Sequence, residues 1–461
     1  MTKTKTDHEH AQPIYPYPLS TVPSYPSYLP AQTQAIGSLL PVREYPQNEN
    51  PPKLFEGLTI RGVEFGNRCW VSPMCQYSSD NGHATTHHLV HIGSMAMRGW
   101  GAIMMEATSV VPEGRITPGD AGIWTDSQIA PLKQIVDYVH ALKGVIGIQL
   151  SHAGRKASVL PPWDLRQATQ KGYSGGTVVS EQYGGWPDDV QAPSAISFNP
   201  GKYPDPNEAS LEYIENLKLK FDEAVERCGK VGFDFIEIHG AHGYFLHEIV
   251  DPISNTRRDQ YGGSFENRVR LPLEIARSIR AKWDKPLFYR VSATDWLEED
   301  LGPERDERGE WKWWGIEQTT LLARELAKIG IDLLDVTTGG NDLRQKIKVG
   351  PSYQTPLAVH LKKNVPNILV GTVGIITEAK QANDILEQGK ADVVFCARQV
   401  LRDIDFPLEA AMDLGVAVNP AVQYELAWSR MLKNRREVHH TCAERYGITE
   451  VQGGEGKQLR M

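Results

Sequence analysis

Two histidines and a tyrosine fall within six positions of one another at the end of the run Phe233-Asp234-Phe235-Ile236-Glu237-Ile238-His239-Gly240-Ala241-His242-Gly243-Tyr244. Apolar residues alternate up to Ile238 and then stop, which predicts a short buried strand opening into a polar loop. In a parallel α/β sheet, loops at the C-terminal ends of strands vary freely while the sheet holds them in place, so chemistry collects there. His239 and His242 would then aim two imidazole N–H groups at one ligand atom, an electrophilic clamp suited to a developing enolate. An ordinary polar loop is the plainer alternative.

Other strand ends supply further polar groups: Ser72-Pro73-Met74-Cys75-Gln76-Tyr77, then Gln149 with His152 and Lys156, then Arg290, and last Ala397-Arg398. No carboxylate pair stands among them, which disfavours glycosidase chemistry, and no Gly-x-Ser-x-Gly elbow is present. His87 and His91 have the i, i+4 spacing of zinc ligands on a helix. The His-Glu-x-x-His pattern is missing, however, and a helix packing His87, His88 and His91 against its neighbours is the plainer reading.

Eight strand-like runs must position these groups: Trp70 to Tyr77, Ala102 to Val110, Val145 to His152, Phe233 to His239, Pro286 to Ala293, Leu333 to Thr338, Asn367 to Gly374 and Asp392 to Gln399. Helical spacing recurs between them, as in Leu211 to Cys228, Pro272 to Lys282, Thr320 to Ile329 and Glu378 to Gln388. Eight alternating units predict an α/β fold closed into a (β/α)8 TIM barrel, with an open doubly wound sheet as runner-up. The dinucleotide fingerprint of that alternative is absent. The connections 153–209 and 294–314 are too long for filler and rich in aromatic residues. They predict a lid over an apolar substrate, although the acidic 294–314 reads equally as a surface excursion. In a barrel, Gln149 and Arg290 would face the mouth, with Gly371-Thr372-Val373-Gly374 and Arg398 at the usual phosphate place. A cation for an anionic ring plus a phosphate cradle describes flavin mononucleotide.

The chain of 461 residues, 40% hydrophobic and 23% charged, has the composition of a globular protein. Its net charge of −8 disfavours nucleic acid or anionic membrane as the main partner. Five cysteines (69, 75, 228, 396 and 442) without a Cys-x-x-Cys pair point to a reducing compartment and no iron–sulfur cluster of usual spacing. No apolar stretch spans a bilayer and no secretory leader is evident, so a cytoplasmic location is expected. Residues 1–50, rich in Pro and Tyr, predict a flexible leader or an arm on a neighbouring subunit. A barrel over 51–428 and a C-terminal extension over 429–461 complete the expected organisation.

The motifs at 72–77, 149–156 and 239–244, with Asp251-Pro252-Ile253-Ser254-Asn255-Thr256-Arg257 and Tyr261-Gly262-Gly263-Ser264-Phe265-Glu266-Asn267-Arg268, resemble the Old Yellow Enzyme family over about residues 54–428. Cys75 and a His/His pair resemble its thermophilic-like branch. The resemblance implies a barrel with non-covalent FMN, reduced by NADPH or NADH, that reduces activated C=C bonds of α,β-unsaturated carbonyl or nitro compounds by a ping-pong mechanism. It implies that Pro73, Met74, Cys75, Ala107, Gln149, Arg290, Gly374, Ala397 and Arg398 hold the flavin. It further implies that Cys75 tunes the flavin and that His239 and His242 bind the substrate oxygen. Tyr244 would offer a proton, and Tyr77 and Lys156 would line the pocket, a structural salt bridge being the alternative for Lys156.

Two departures stand out. Gln423-Tyr424-Glu425 is followed by Leu426, where the branch has an arginine that enters the partner subunit's site. A homo-oligomer with a shared site is therefore in question, with Arg430 as a substitute one helical turn on. Terminal extensions also exceed the short bacterial pattern. A flavin-binding redox sensor or scaffold without turnover is the contrasting function, and intact His239, His242 and Tyr244 weigh against it. A zinc hydrolase would be colourless and contain metal.

Overall fold

The structure is a computed structural model and describes residues 28–428. Strands and helices alternate in the order β1 (Cys69–Val71), α1 (Thr86–Ala96), β2 (Ala102–Ser109), α2 (Ile129–Ala141), β3 (Ile146–Ser151), α3 (Leu211–Val231), β4 (Phe235–Gly240) and α4 (Arg270–Lys282). They continue as β5 (Leu287–Ser292), α5 (Ile316–Ile329), β6 (Leu333–Thr337), α6 (Thr355–Asn364), β7 (Leu369–Thr372), α7 (Ala379–Glu387), β8 (Val393–Cys396) and α8 (Phe406–Leu414). The eight strands pair in parallel and close into a barrel when β8 pairs with β1, Phe395 opposite Trp70. The expected (β/α)8 architecture is therefore present, and the open doubly wound sheet is not.

Two strands end earlier than their apolar patterns predict. β1 stops at Val71 because Pro73 has no N–H for the ladder, and Ser72 makes the last bond, its N–H donating to Cys396 O at 2.9 Å. The chain then crosses the barrel mouth to Tyr77, which takes the left-handed conformation at φ 50°. β8 stops at Cys396 because Arg398 already begins a short helix, Arg398–Arg402.

The barrel interior is layered. Its lower part is apolar: Trp70, Met104, Phe235, Phe288, Leu333, Val393 and Phe395 fill it. Phe65 and Ile60, from the hairpin Leu58–Ile60/Val63–Phe65, close the floor, with Phe65 stacked on Trp70 at 4.4 Å. Each buried aromatic contributes roughly 1.5–3 kcal/mol of hydrophobic stabilisation. Above this plug the inward side chains turn polar.

Residues 28–50 depart from the flexible leader expected through residue 50. Leu29 and Ile36 are buried in the core, and Leu39 bridges antiparallel to Val418. Asn48 Nδ2 donates to Ala417 O at 2.8 Å and its Oδ1 accepts from Ala417 N at 2.9 Å. The apolar residues here are too few for a periodicity signal, yet enough to dock. The rest of that expectation, residues 1–27, lies outside the described residues, as do Arg430 and the extension 429–461. Among the described residues no helix is long and apolar enough to cross a membrane.

Candidate active site

At the C-terminal end of β4 the rings of His239, His242 and Tyr244 converge. His239 lies 5.3 Å from His242 and 5.1 Å from Tyr244 between ring centroids, tilted by 74° and 67°. The turn that achieves this puts His242 at φ 62° and Gly243 at φ 67°. Both imidazoles are held well below the ordinary histidine range, chiefly by burial and then by the Arg290 charge. They are neutral at physiological pH, so each carries one N–H.

Hydrogen bonds assign the His242 tautomer. Gln354 Nε2 donates to Val373 O at 2.9 Å, which leaves its Oε1 to accept the Thr337 hydroxyl at 3.1 Å. Thr337 Oγ1 is then the acceptor for His242 Nε2–H at 3.0 Å. His239 Nδ1 is buried without a partner. A ligand oxygen at the mouth would therefore replace Thr337 as the acceptor for His242.

Just below the rings lies a polar layer. Gln149 on β3 donates to Glu237 on β4 at 2.7 Å. Arg290 on β5 pairs in register with His239 on one side and Asp335 on the other. Burial pushes both carboxyls up, and for Glu237 the neighbouring Asp335 adds to the effect while Arg290 opposes it. The absence of a carboxylate pair, expected from the loops, does not extend to the interior. Glu237 and Asp335 were legible only as single acids inside otherwise apolar strands.

Arg290 also lines a cavity of about 250 Å³ at the ends of β7 and β8, together with Thr337, Gly374, Ala397 and Arg398. Gly374 takes φ 129°, and a Cβ there would meet Tyr353 and Gln354 at 3.0–3.1 Å. The Arg398 helix begins at this cavity, and first-turn N–H groups lack intrahelical acceptors. An anionic terminus fits there, and the Gln149–Arg290 layer fits the polar edge of a flat heterocycle. The donor set thus suits a phosphate-bearing flavin.

Across the mouth run Pro73, Met74, Cys75 and Tyr77, all half-buried. Cys75, Tyr77 and Tyr244, like Trp186 and Tyr203 of the 153–209 connection, pack against a buried cluster of Ile116, Ala153, Ala157, Val159 and Val190. Burial, with the charges of Asp120 and Glu106, pushes the Cys75 thiol up. Asp120, which no motif singled out, accepts from Ile116 N and from the Thr117 backbone and hydroxyl, and burial pushes it up to about 7. Ala107 follows an irregularity in β2 and stands opposite Gln149.

Three candidates have other surroundings than expected. Lys156 Nζ donates to the carbonyls of His242 and Gly340 rather than forming an ion pair, and burial lowers it to about 7. His152 bonds the Tyr213 hydroxyl at 2.8 Å, which in turn donates to Glu113, so it anchors α3. Of the three histidines on α1 only His88 is buried; His87 is exposed and stacks on the half-buried His91 at 5.8 Å.

Residues 53–415 match the NADH:flavin oxidoreductase / NADH oxidase family. An NADH:flavin oxidoreductase of Gibberella zeae is 44% identical over 414 residues, 89% of this chain and 95% of that protein. An NADPH dehydrogenase of Halalkalibacterium halodurans is 40% identical over 380 residues, 82% of this chain and 99% of that protein. The fold is similar to that of morphinone reductase, with a TM-score of 0.61 and 24% identity over 81% of this chain and 92% of that one. The chain belongs to the NADH:flavin oxidoreductase / NADH oxidase family, the Old Yellow Enzymes, and is an NAD(P)H-dependent flavin oxidoreductase with non-covalently held FMN.

Proposed function

We propose that the protein is an ene-reductase that reduces activated C=C bonds of α,β-unsaturated carbonyl or nitro compounds at the expense of NADPH or NADH. The observation that carries this reading is the convergence of two neutral imidazoles and a phenol over a polar layer containing one guanidinium. FMN, when bound, supplies the redox chemistry, taking two electrons from the nicotinamide and passing them to the substrate. One mouth serving both partners in turn favours a ping-pong order.

The chain's own residues then have separable tasks. Arg290 and Gln149 hold the polar edge of the ring, and the Arg290 cation favours negative charge there. Gly374, Ala397 and Arg398 hold the phosphate; Pro73, Met74, Cys75 and Ala107 complete the cradle. His239 and His242 each donate one N–H to the substrate oxygen, which stabilises charge developing on it. Burial, first, and then the nearby Cys75 and Tyr77 keep the Tyr244 proton on its oxygen well above the usual phenol range, so Tyr244 reaches the α-carbon as an acid. Tyr77, Trp186 and Tyr203 supply an apolar wall against the substrate body.

The test is anaerobic reduction of the FMN-loaded protein by each nicotinamide, followed by mixing with cyclohexenone, a nitroalkene and a maleimide. Rapid return of the yellow absorbance with at least one is expected. Reoxidation by none of them would overturn the reading.

A further inference from the structure

Behind the His239–His242–Tyr244 turn lies a closed cluster of ionisable groups that the proposed chemistry does not use: His247, Asp251 and Asp295, all buried. One ligand atom from each lies within 4.8 Å of the others, as a metal site would require. The hydrogen bonds point elsewhere. His247 Nδ1 accepts the Gly243 N–H at 2.9 Å, so the proton of the neutral ring sits on Nε2, which faces Asp295 Oδ1 at 3.3 Å. A nitrogen that carries its proton cannot bind a metal.

The two acids are also unequal. Asp251 has a donor on each oxygen, Ile253 N on Oδ1 and Asn341 Nδ2 on Oδ2, the setting of a carboxylate. Neither Asp295 oxygen has an aligned donor, although its backbone N–H is fixed to Trp314 O. Burial and then the adjacent Asp251 push the Asp295 carboxyl up. Asp295 therefore has the setting of a neutral acid set between Asp251 and His247, with His247 Nε2 facing its Oδ1 at 3.3 Å out of line.

We propose that His247, Asp295 and Asp251 are positioning residues for the substrate clamp: Asp295, backed by Asp251, faces Nε2 and keeps the His247 ring oriented, and His247, through the Gly243 N–H, fixes the left-handed turn that aims His242. The turn needs such a holder. Gly243 sits so close to Gly340 and Asn341 that an added Cβ would lie 2.3 Å from Gly340 O. Lys156 draws the carbonyls of His242 and Gly340 together from one side, and Ser292 Oγ takes the His242 N–H at 2.9 Å from another. Asp295 lies at the start of the 294–314 connection, so the same contacts tie that connection to the clamp. The inference rests on the proposed role of His242.

The test compares D295A, D295N, H247L and H247N as FMN-loaded proteins. Amide exchange over residues 241–246 and kcat and KM for cyclohexenone are the readouts, with FMN content and melting temperature as controls. Loss of the Gly243–His247 bond in H247L, and of the Asp295 support behind it in D295A, should speed exchange and raise KM by about tenfold or more while FMN content holds, the scale of one lost hydrogen bond. D295N, which mimics a neutral acid, and H247N, which keeps an acceptor near Nδ1, should recover most of both. D295A indistinguishable from wild type, D295N as damaging as D295A, or a stoichiometric metal lost on D295A substitution would each overturn the proposal. D295S stands in for D295A should the latter not fold. A wild-type enzyme that turns over none of cyclohexenone, a nitroalkene and a maleimide would defeat the ene-reductase reading alone, since exchange still reports on the turn.

Discussion

Arg290 Nε approaches Asp335 Oδ2 at 3.1 Å inside the closed barrel, with the hydrogen out of line and a second acid, Glu237, two strands from Asp335 in the same layer. One guanidinium thus answers two buried carboxyl groups. Arg290→Ala should destabilise the protein by about 3–5 kcal/mol, because it strands buried acid without a cation. Arg290→Ala combined with Asp335→Asn should lose less than Arg290→Ala alone. Urea unfolding of the three proteins checks this, and FMN content after gel filtration should fall in both variants.

His239→Ala removes a donor that no neighbour can replace. Turnover of cyclohexenone should fall ~10²-fold, with FMN still bound. Tyr244→Phe should cost less, because water can deliver a proton at an open mouth. Stopped-flow reoxidation of the reduced protein separates the two, and equal rates for His239→Ala and wild type would remove the clamp role.

Glu248 supplies a pH signature. Its Oε1 accepts the Arg155 N–H at 3.0 Å, its Oε2 has no partner, and burial pushes it up to about 8. Between an unfolded value of about 4.5 and this folded one, the native state keeps a proton that the unfolded chain gives up, so stability falls as pH rises across that window and is level above it. Glu248→Gln should remove this slope. Relative to wild type, the variant should therefore gain on the order of a few kcal/mol from about pH 5 to about pH 9, as read by urea midpoints. A constant difference across that range would contradict a protonated Glu248.

Gly374 stands at φ 129°, a region that side chains rarely adopt, and a Cβ would press on Tyr353 and Gln354. Since Gln354 orients Thr337 and, through it, His242, Gly374→Val should weaken FMN retention and also raise KM for the substrate. The two effects should differ from those of Arg398→Gln, which removes a cation from the same cavity without touching Gln354. Equilibrium FMN titration alongside steady-state kinetics distinguishes them.

The architecture was legible because eight apolar runs, most of them separated by segments of 3.6-residue spacing, leave little choice beyond a barrel. The loops at their ends brought His239, His242 and Tyr244 forward by type and spacing. What stayed hidden has physical reasons. Thr337, at the end of β6, and Gln354, just before α6, act by fixing a tautomer on the β4 loop, which no local pattern encodes. His247 and Asp295 are 48 positions apart and meet only because β4 and β5 are neighbours. His152 misled because a histidine at a strand end can turn outward as well as in. Residues 28–50 misled because proline-rich chain docks through backbone and a few apolar contacts rather than through periodicity.

That docking has a consequence for how the protein is made. Gly37 N bonds Asn419 O, Leu40 N bonds Ala417 O, and Asn419 N bonds Ser38 O, so the strap at 36–40 is buckled to a segment nearly four hundred residues later in synthesis. The buckle cannot fasten on the ribosome until residues 417–419 have emerged, and β1 likewise waits for β8 before it has a partner on that side. Barrel closure is thus deferred until β8 has been made, which leaves the cofactor cradle at β7 and β8 among the last parts of the barrel to be completed.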